Sequence, residues 1–369
     1  MCAVEPDALR ERAIDLLALW HAHARDTAHG GYHNRLGHDL APVVDDHKRL
    51  LVQTRLLWAF SEGVRLGAGD WAREAARHAY RFLEEALQDP KHGGFFLSAG
   101  LGSAPVDARK DLYAHAFVIF ALTQHAMISG DQEPLERAMD TLTLLDAHLS
   151  DPEGGGFWEG ASADWRPERG LRRQNPHMHL LEALLTLHAA RSEAGLLERA
   201  DLLVDLCQAR FVGRGDVLHE QFDSDWTPKI TAVEPGHHFE WVWLLHAYAA
   251  AGGRRAVALL GERLHGFARR HGVDDDGLVF DAVDVQGRVV RDGKRLWPQT
   301  EHIKALAARG EHAELRSTLE RVLDAYVDRN SGGWREQLDR GGHVVSDAMN
   351  ATSGYHVVLA LREAAGALE

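Results

Sequence analysis

Cysteine is almost missing from this chain. Two occur in 369 residues, Cys2 at the start and Cys207 within the helical stretch LLVDLCQARF. A disulfide framework and a cysteine-based zinc site are thereby excluded, and the usage is that of a cytoplasmic protein. Positive charge is also short, with 55 acidic against 41 basic residues and a formal charge of −14. Such a balance offers nothing to a phosphate backbone or an anionic lipid surface, so neither nucleic acid nor membrane is expected as a partner. No run reaches the roughly 18 uninterrupted apolar residues that a membrane-spanning helix requires. The opening MCAVEPDALRERAIDLL has no basic stretch followed by an apolar one, so a secretory leader is not expected. Rossmann, P-loop and nucleophile-elbow motifs are missing as well.

What is present is a large apolar fraction, 45% against 26% charged, enough for a substantial core. It is organised as a repeat. Gly-aromatic stretches recur as HGGYHNRL from 29, HGGFFLSA from 92, EGGGFWEG from 153 and SGGWREQL from 331, with weaker members GDVLHEQF from 215 and DGLVFDAV from 276. Their reference positions, Gly31, Gly94, Gly156, Val217, Gly277 and Gly333, are separated by 63, 62, 61, 60 and 56 residues. Each unit reads as an amphipathic helix, a Gly-rich turn with short alternating residues, a polar loop and a more apolar second helix. WAREAARHAYRFLEEAL (71–87) and LERAMDTLTLLDAHL (135–149) are charged on one face, whereas AHAFVIFALTQHA and FEWVWLLHAYAA are apolar nearly all round. Amphipathic helices outside and apolar ones inside form the expected packing. Six similar units without polar caps suit a closed ring, an all-α barrel of six helical hairpins spanning residues 1–369 as one domain.

The beginnings of the second helices carry an unusual set of side chains: Arg55, Tyr113, Asn175 with His179, His237 with Glu240, Trp297 with Glu301, and His356. If the inner helices run parallel, these converge at one end of the ring. In NPHMHLLEALL, Asn175 is expected to cap the helix and Pro176 to occupy its first position. His179 then shares a face with Asn175 and Glu182, while His177, two residues away, faces elsewhere. His237 stands three residues before Glu240, a spacing at which the carboxylate could orient the imidazole. Trp297 offers a flat face for stacking on a sugar. Arg55 lies in an apolar run and needs a polar or anionic partner. Histidines with acidic partners, an arginine, aromatics and helix N-termini suit proton abstraction beside a sugar carbonyl, with the resulting enediolate stabilised by positive potential.

These stretches together resemble the N-acylglucosamine 2-epimerase superfamily, which includes cellobiose 2-epimerases, mannose isomerases and sulfoquinovose isomerases. The likeness rests on KRLLVQTRLLWAF, KDLYAHAFVIFAL, RRQNPHMHLLEALL, PGHHFEWVWLL, LWPQTEHIKAL and the C-terminal Tyr-His pair, and it covers nearly the whole chain. It implies an (α/α)6 barrel. It also implies that His237 and His356 are the two acid/base histidines, with His237 abstracting the C2 proton and Glu240 supporting it. Arg55, Tyr113, Asn175 and His179 would then hold sugar oxygens, with Trp297 as platform and Glu301 nearby. No metal or other cofactor is implied.

The expected reaction is interconversion of free mannose and fructose through a cis-enediol, by a monomer or homodimer whose partner is a small sugar. The nearest alternative is epimerisation at C2 of glucose, N-acetylglucosamine or a disaccharide. Glycoside hydrolysis is more distant, because it rests on opposed carboxylates rather than histidines. A carbohydrate-binding or scaffold protein would not depend on the histidines at all. A metal enzyme built on His177, His179, His237 and His238 would lose activity to a chelator.

Overall fold

The computed structural model describes residues 4–230 and 232–369, so Cys2 lies outside the described residues. Within them, twelve α-helices form two concentric rings. The inner ring consists of α2 (Leu50–Arg65), α4 (Leu112–Ser129), α6 (Gln174–Ala190), α8 (Pro235–Ala250), α10 (Leu296–Arg309) and α12 (Ala351–Leu368). The outer ring consists of α1 (Pro6–Ala24), α3 (Asp70–Phe82), α5 (Gln132–His148), α7 (Ala194–Leu206), α9 (Ala258–Gly272) and α11 (His312–Tyr326). Each inner helix packs on the next, and α12 returns to α2, closing an (α/α)6 barrel. The apolar second helices of the sequence are the inner ones. By length and composition α4 could cross a membrane, but 78% of it is buried inside the barrel.

The helical hairpins differ from the expected pairing. An inner helix packs against the outer helix that follows it, as α2 on α3 or α4 on α5, and α1 completes the set against α12. The connections within these pairs are short, whereas the Gly-aromatic segment is a long excursion from an outer helix to the next inner one. All six excursions lie at the N-terminal end of the inner ring. There they pair as short antiparallel ladders, for example His47–Arg49 with Ser98–Gly100 and Lys294–Arg295 with Gln337–Leu338. Arg35–Gly37 pairs with Ala348–Asn350, which ties the last repeat to the first.

One repeated contact fixes each excursion to its helix. The backbone N–H of Tyr32, Phe95, Phe157, Leu218 and Val279 donates to a side chain in the first turns of the inner helix: Gln53 Oε1, His115 Nε2, His177 Nε2, His238 Nε2 and Gln299 Oε1. In the fifth repeat the bridge falls on Val279 rather than one residue after Gly277, so Leu278 is the true counterpart of Gly156. Gly94 and Gly156 have positive φ, 68° and 70°. A Cβ at Gly94 would stand 2.9 Å from His115 Nε2, and one at Gly156 the same distance from His177 Nε2. Glycine is needed there for both backbone and clearance.

A second repeated contact buries charge. Lys48, Lys110, Arg172 and Lys294, just before their inner helices, are almost wholly buried and pair with Asp26, Asp89, Asp151 and Asp274 of the Gly-rich turns.

Candidate active site

At the N-terminal mouth of the inner ring lies a cavity of about 460 Å³. Arg55, Tyr113, Asn175, His179, His237, Glu240, Trp297 and His356 all line it. Glu301 is not on the wall; it stands behind His356, with Oε1 2.7 Å from His356 Nδ1. The set picked out at the helix starts is therefore brought together. The convergence follows from the parallel inner helices, each contributing a side chain from its first turns.

His237 is supported by a different carboxylate from the one its spacing suggested. Its Nδ1 lies 2.8 Å from Glu220 Oε2 and 4.0 Å from Glu234 Oε2. Glu220 comes from the loop before α8 and is itself held by Gln174 Nε2 at 3.0 Å and the Glu234 N–H at 3.0 Å. Glu240, one turn along α8, reaches instead toward His179 Nε2, 3.8 Å away, and Lys304 Nζ, 3.9 Å away. The i, i+3 spacing places Glu240 on the same side of the helix, but a folded loop supplies the nearer oxygen.

Burial works against a charge on His237, but the Glu220 carboxylate and its hydrogen bond, with Glu234 and Glu240 beyond, outweigh it and lift the imidazole to about 9. His356 moves the opposite way. Burial, then the charges of Arg55 and Lys304, hold it well below the usual histidine range. The two imidazoles are therefore shifted in opposite directions, His237 toward its protonated form and His356 toward its neutral one. Arg55 Nη1 lies 3.3 Å from His356 Nε2. Because a guanidinium only donates, Nε2 carries the lone pair and Nδ1–H donates to Glu301. Both rings flank Trp297, with centroids 4.9 Å and 6.0 Å from it.

The remaining wall is polar and positioned. Arg55 Nη2 donates to the Tyr113 hydroxyl at 2.6 Å and Nη1 to the Thr352 carbonyl at 3.0 Å, which answers its need for partners. His179 Nδ1 meets Glu182 Oε2 at 3.0 Å, as the shared face implied, and the Tyr355 hydroxyl donates to the other Glu182 oxygen. Asn175 is not the cap of α6. The extended Arg173 precedes the helix, which starts at Gln174, so Asn175 and Pro176 sit inside its first turn. Asn175 Oδ1 and Glu240 Oε1 are buried without a hydrogen-bond partner, the condition of acceptors awaiting hydroxyl donors.

His177 and His238 cannot ligate a metal. Their Nε2 atoms accept backbone N–H groups, and their Nδ1 atoms face the carbonyls of Arg173 and Glu234. The donor set that does converge is Glu240, Glu301 and His356, with ligand atoms within 4.8 Å of one another. Lys304 Nζ already stands 2.5 Å from Glu301 Oε2.

Sequence reasoning missed Glu220, Lys304 and the rim residues Arg173, Arg291 and Arg295. Glu220 had a signal: it stands two residues beyond the bridging Leu218, as Glu159 and Glu336 stand beyond Phe157 and Trp334. Lys304 had a local one, its i, i+3 spacing from Glu301 on α10.

Residues 30–360 match the family described as N-acylglucosamine 2-epimerase (GlcNAc 2-epimerase). The mannose-6-phosphate isomerase of Rhizobium meliloti (strain 1021) is 31% identical, over 94% of this chain and 93% of its own length. The D-mannose isomerase of Pseudomonas cannabina pv. alisalensis is 29% identical, over 71% and 70%. Among solved structures, the cellobiose 2-epimerase from Spirochaeta thermophila DSM 6192 superposes with a TM-score of 0.88 at 26% identity, covering 98% of this chain and 96% of that one.

Proposed function

The chain belongs to the N-acylglucosamine 2-epimerase family and is a carbohydrate isomerase or epimerase, and from that premise we propose that it interconverts free mannose and fructose, with the whole chain acting as one catalytic unit. The observation that carries this reading is the pair of imidazoles set around Trp297 in one cavity, His237 held by Glu220 at 2.8 Å and His356 between Arg55 at 3.3 Å and Glu301 at 2.7 Å.

In the aldose-to-ketose direction, His356 Nε2 removes the C2 proton while the His237 imidazolium protonates the carbonyl oxygen at C1, giving a cis-enediol. His356 then returns its proton to C1, and His237 takes the hydroxyl proton from O2, completing the ketose. These charge states exchange the role that the family resemblance implied for His237. The Nε2 lone pair on His356, which Arg55 Nη1 faces at 3.3 Å, supports it as the base. Arg55, Tyr113, Asn175 and His179 bind the sugar oxygens, and Trp297 stacks on the ring. Glu301 and Glu220 orient the two imidazoles.

A neutral sugar is favoured by the rim. Arg173 pairs with Glu159, Arg291 with Glu234, and Arg295 with Glu234 and Asp281, so no arginine there is left uncompensated for a phosphate. The 2-epimerase reading uses the same residues, with His237 delivering the proton to the other face of C2.

NMR in D2O with mannose, mannose 6-phosphate, glucose and cellobiose tests the proposal. Fructose from mannose supports it, with deuterium at C1 to the extent that His356 exchanges its proton with solvent before returning it. Glucose deuterated at C2 with no ketose would replace it with the epimerase, and turnover of the phosphate alone would overturn the neutral substrate.

A further inference from the structure

Three inner helices bring buried carboxylates to the floor of the cavity and just beneath it: Glu240 from α8 on the wall, with Glu182 from α6 and Glu301 from α10 behind. Glu240, Glu301 and His356 bring their oxygen and nitrogen atoms within 4.8 Å of one another. The fold supplies a cation of its own. Lys304, one turn after Glu301 and fully buried, has its Nζ 2.5 Å from Glu301 Oε2 and 3.9 Å from Glu240 Oε1. It lies over the ring of Trp243 at 4.2 Å and farther from that of Tyr355, at 5.8 Å, so its hydrophobic walls add ring-face attraction.

We propose that Lys304 is a positioning residue for the acid–base chemistry: its ammonium keeps Glu301 anionic, and Glu301 in turn keeps the His356 proton on Nδ1 and the lone pair on Nε2, facing the sugar. The inference rests on His356 being the base. A lone ammonium buried among aromatics would be costly, and so would two adjacent buried carboxylates; together they offset each other. Glu301 is the member most exposed to the balance: burial, then the Glu240 charge, hold its carboxyl well above the usual carboxylate range even against the pull of Lys304, so its anion depends on the ammonium 2.5 Å away.

The other groups facing this cluster are His179 with Glu182 on α6, His237 with Glu240 on α8, Tyr355, His356 and Glu363 on α12, Arg55 on α2 and Tyr113 on α4. On the opposite face of α10, Ile303 meets Leu319 and Val322 of α11 around an apolar crevice. None of these other groups is a cation within hydrogen-bond reach of Glu301. Remove Lys304, and Glu301 takes a proton from solvent. In its acid form it donates to His356 Nδ1, the imidazole proton settles on Nε2, and the base is lost.

The test uses the full-length enzyme and the sugar it turns over best. Lys304→Met should lower kcat at pH 7 by about 100-fold with KM little changed. The acidic limb of its pH profile should move up by about one unit or more, so that activity partly returns in alkali. Lys304→Arg should keep the wild-type limb. Glu301→Gln should reproduce the loss without the alkaline recovery, and adding Lys304→Met to it should cost nothing further. Nitrogen NMR of the wild-type protein should find His356 as the Nδ1–H tautomer, a measurement that stands even if the methionine variant does not fold.

A folded Lys304→Met enzyme with the wild-type acidic limb, or an Nε2–H tautomer in the wild type, would overturn the proposal. Activity retained in His356→Asn would instead remove the base assignment on which it rests. An inactive His356→Asn beside an unshifted Lys304→Met profile would remove only Lys304.

Discussion

His237 Nδ1 lies 2.8 Å from Glu220 Oε2, an ion pair between an inner helix and the loop that leads into it. The pair couples proton transfer to the fold, since Glu220 is held by Gln174 of α6 and by the backbone at Glu234. Gln174 is fixed in turn by the Trp241 indole N–H at 2.8 Å.

The first prediction concerns that pair. His237 is lifted to about 9, so as an acid it is charged below that value and activity should fall as pH rises through it. Glu220→Gln should bring the alkaline limb of kcat/KM back toward 6.5 and lower kcat at pH 8 by about 10- to 100-fold. The same shift bears on stability. A raised folded-state value means that the contribution is complete below about 6.5 and is lost as pH climbs through about 9. Urea unfolding of wild type and Glu220→Gln should therefore differ at pH 6 and converge above pH 10.

Two histidines that look alike in NPHMHLLEALL should behave oppositely. His177 accepts the Phe157 N–H as a clamp; its counterparts are His115 and His238 in two repeats but Gln53 and Gln299 in two others. His177→Gln should leave stability and turnover near wild type, while His177→Ala should cost about 2–4 kcal/mol by thermal or urea unfolding. His179→Ala should mainly reduce kcat/KM, by about 10-fold or more. If His177→Gln abolishes activity in a folded protein, His177 does more than clamp the loop.

The same two residues explain what was legible in the sequence. Six Gly-aromatic turns and a helix pattern of amphipathic then apolar stretches are local signals, and they lead directly to six repeats and two rings. The functional end of the barrel was legible because a repeat places equivalent positions on one end. Partnerships were not. Glu240 is nearer to His237 along the chain, yet Glu220 is nearer in space, because the excursion folds back over the start of α8. Lys304 was hidden for another reason: its i, i+3 spacing from Glu301 is visible in the sequence, but that the pair is buried beside Glu240 and His356 follows only from the closed ring. The hairpin pairing was misread because the Gly-aromatic segment, the most conspicuous feature, is the long connection and not the tight one.

The buried pairs beneath the Gly-rich turns should be structural. Lys110 Nζ is 2.7 Å from Asp89 Oδ2, and both are almost completely enclosed. Lys110→Met leaves the carboxylate alone and should cost about 3–5 kcal/mol, with little effect on KM in the protein that still folds. Burial opposes the Asp89 charge, but the Lys110 hydrogen bond and the N–H groups of His92 and Lys91 hold the carboxyl below its usual range. Its contribution is thus present above about pH 4 and lost as pH falls through the lower folded value. An acid titration followed by circular dichroism should show Lys110→Met unfolding at higher pH than wild type.

Gly236 separates helix propensity from site geometry. It is the second residue of α8, where alanine by itself would favour the helix by about 1 kcal/mol. A Cβ there would lie 2.6 Å from Trp297 Cζ3 and 3.0 Å from Pro298 Cβ, too close for either to stay in place. Pro298 is held in the first turn of α10, so the half-buried indole is the part able to yield. Gly236→Ala should therefore melt no lower than a degree or two below wild type, while KM for the sugar rises by about 10-fold, the loss of roughly one stacking contact. Steady-state kinetics beside a thermal melt decide it. An unchanged KM in a folded variant would mean that Trp297 is not the surface on which the sugar rests, and the sugar ring would then have to be supported by Tyr113 on the opposite side of the mouth.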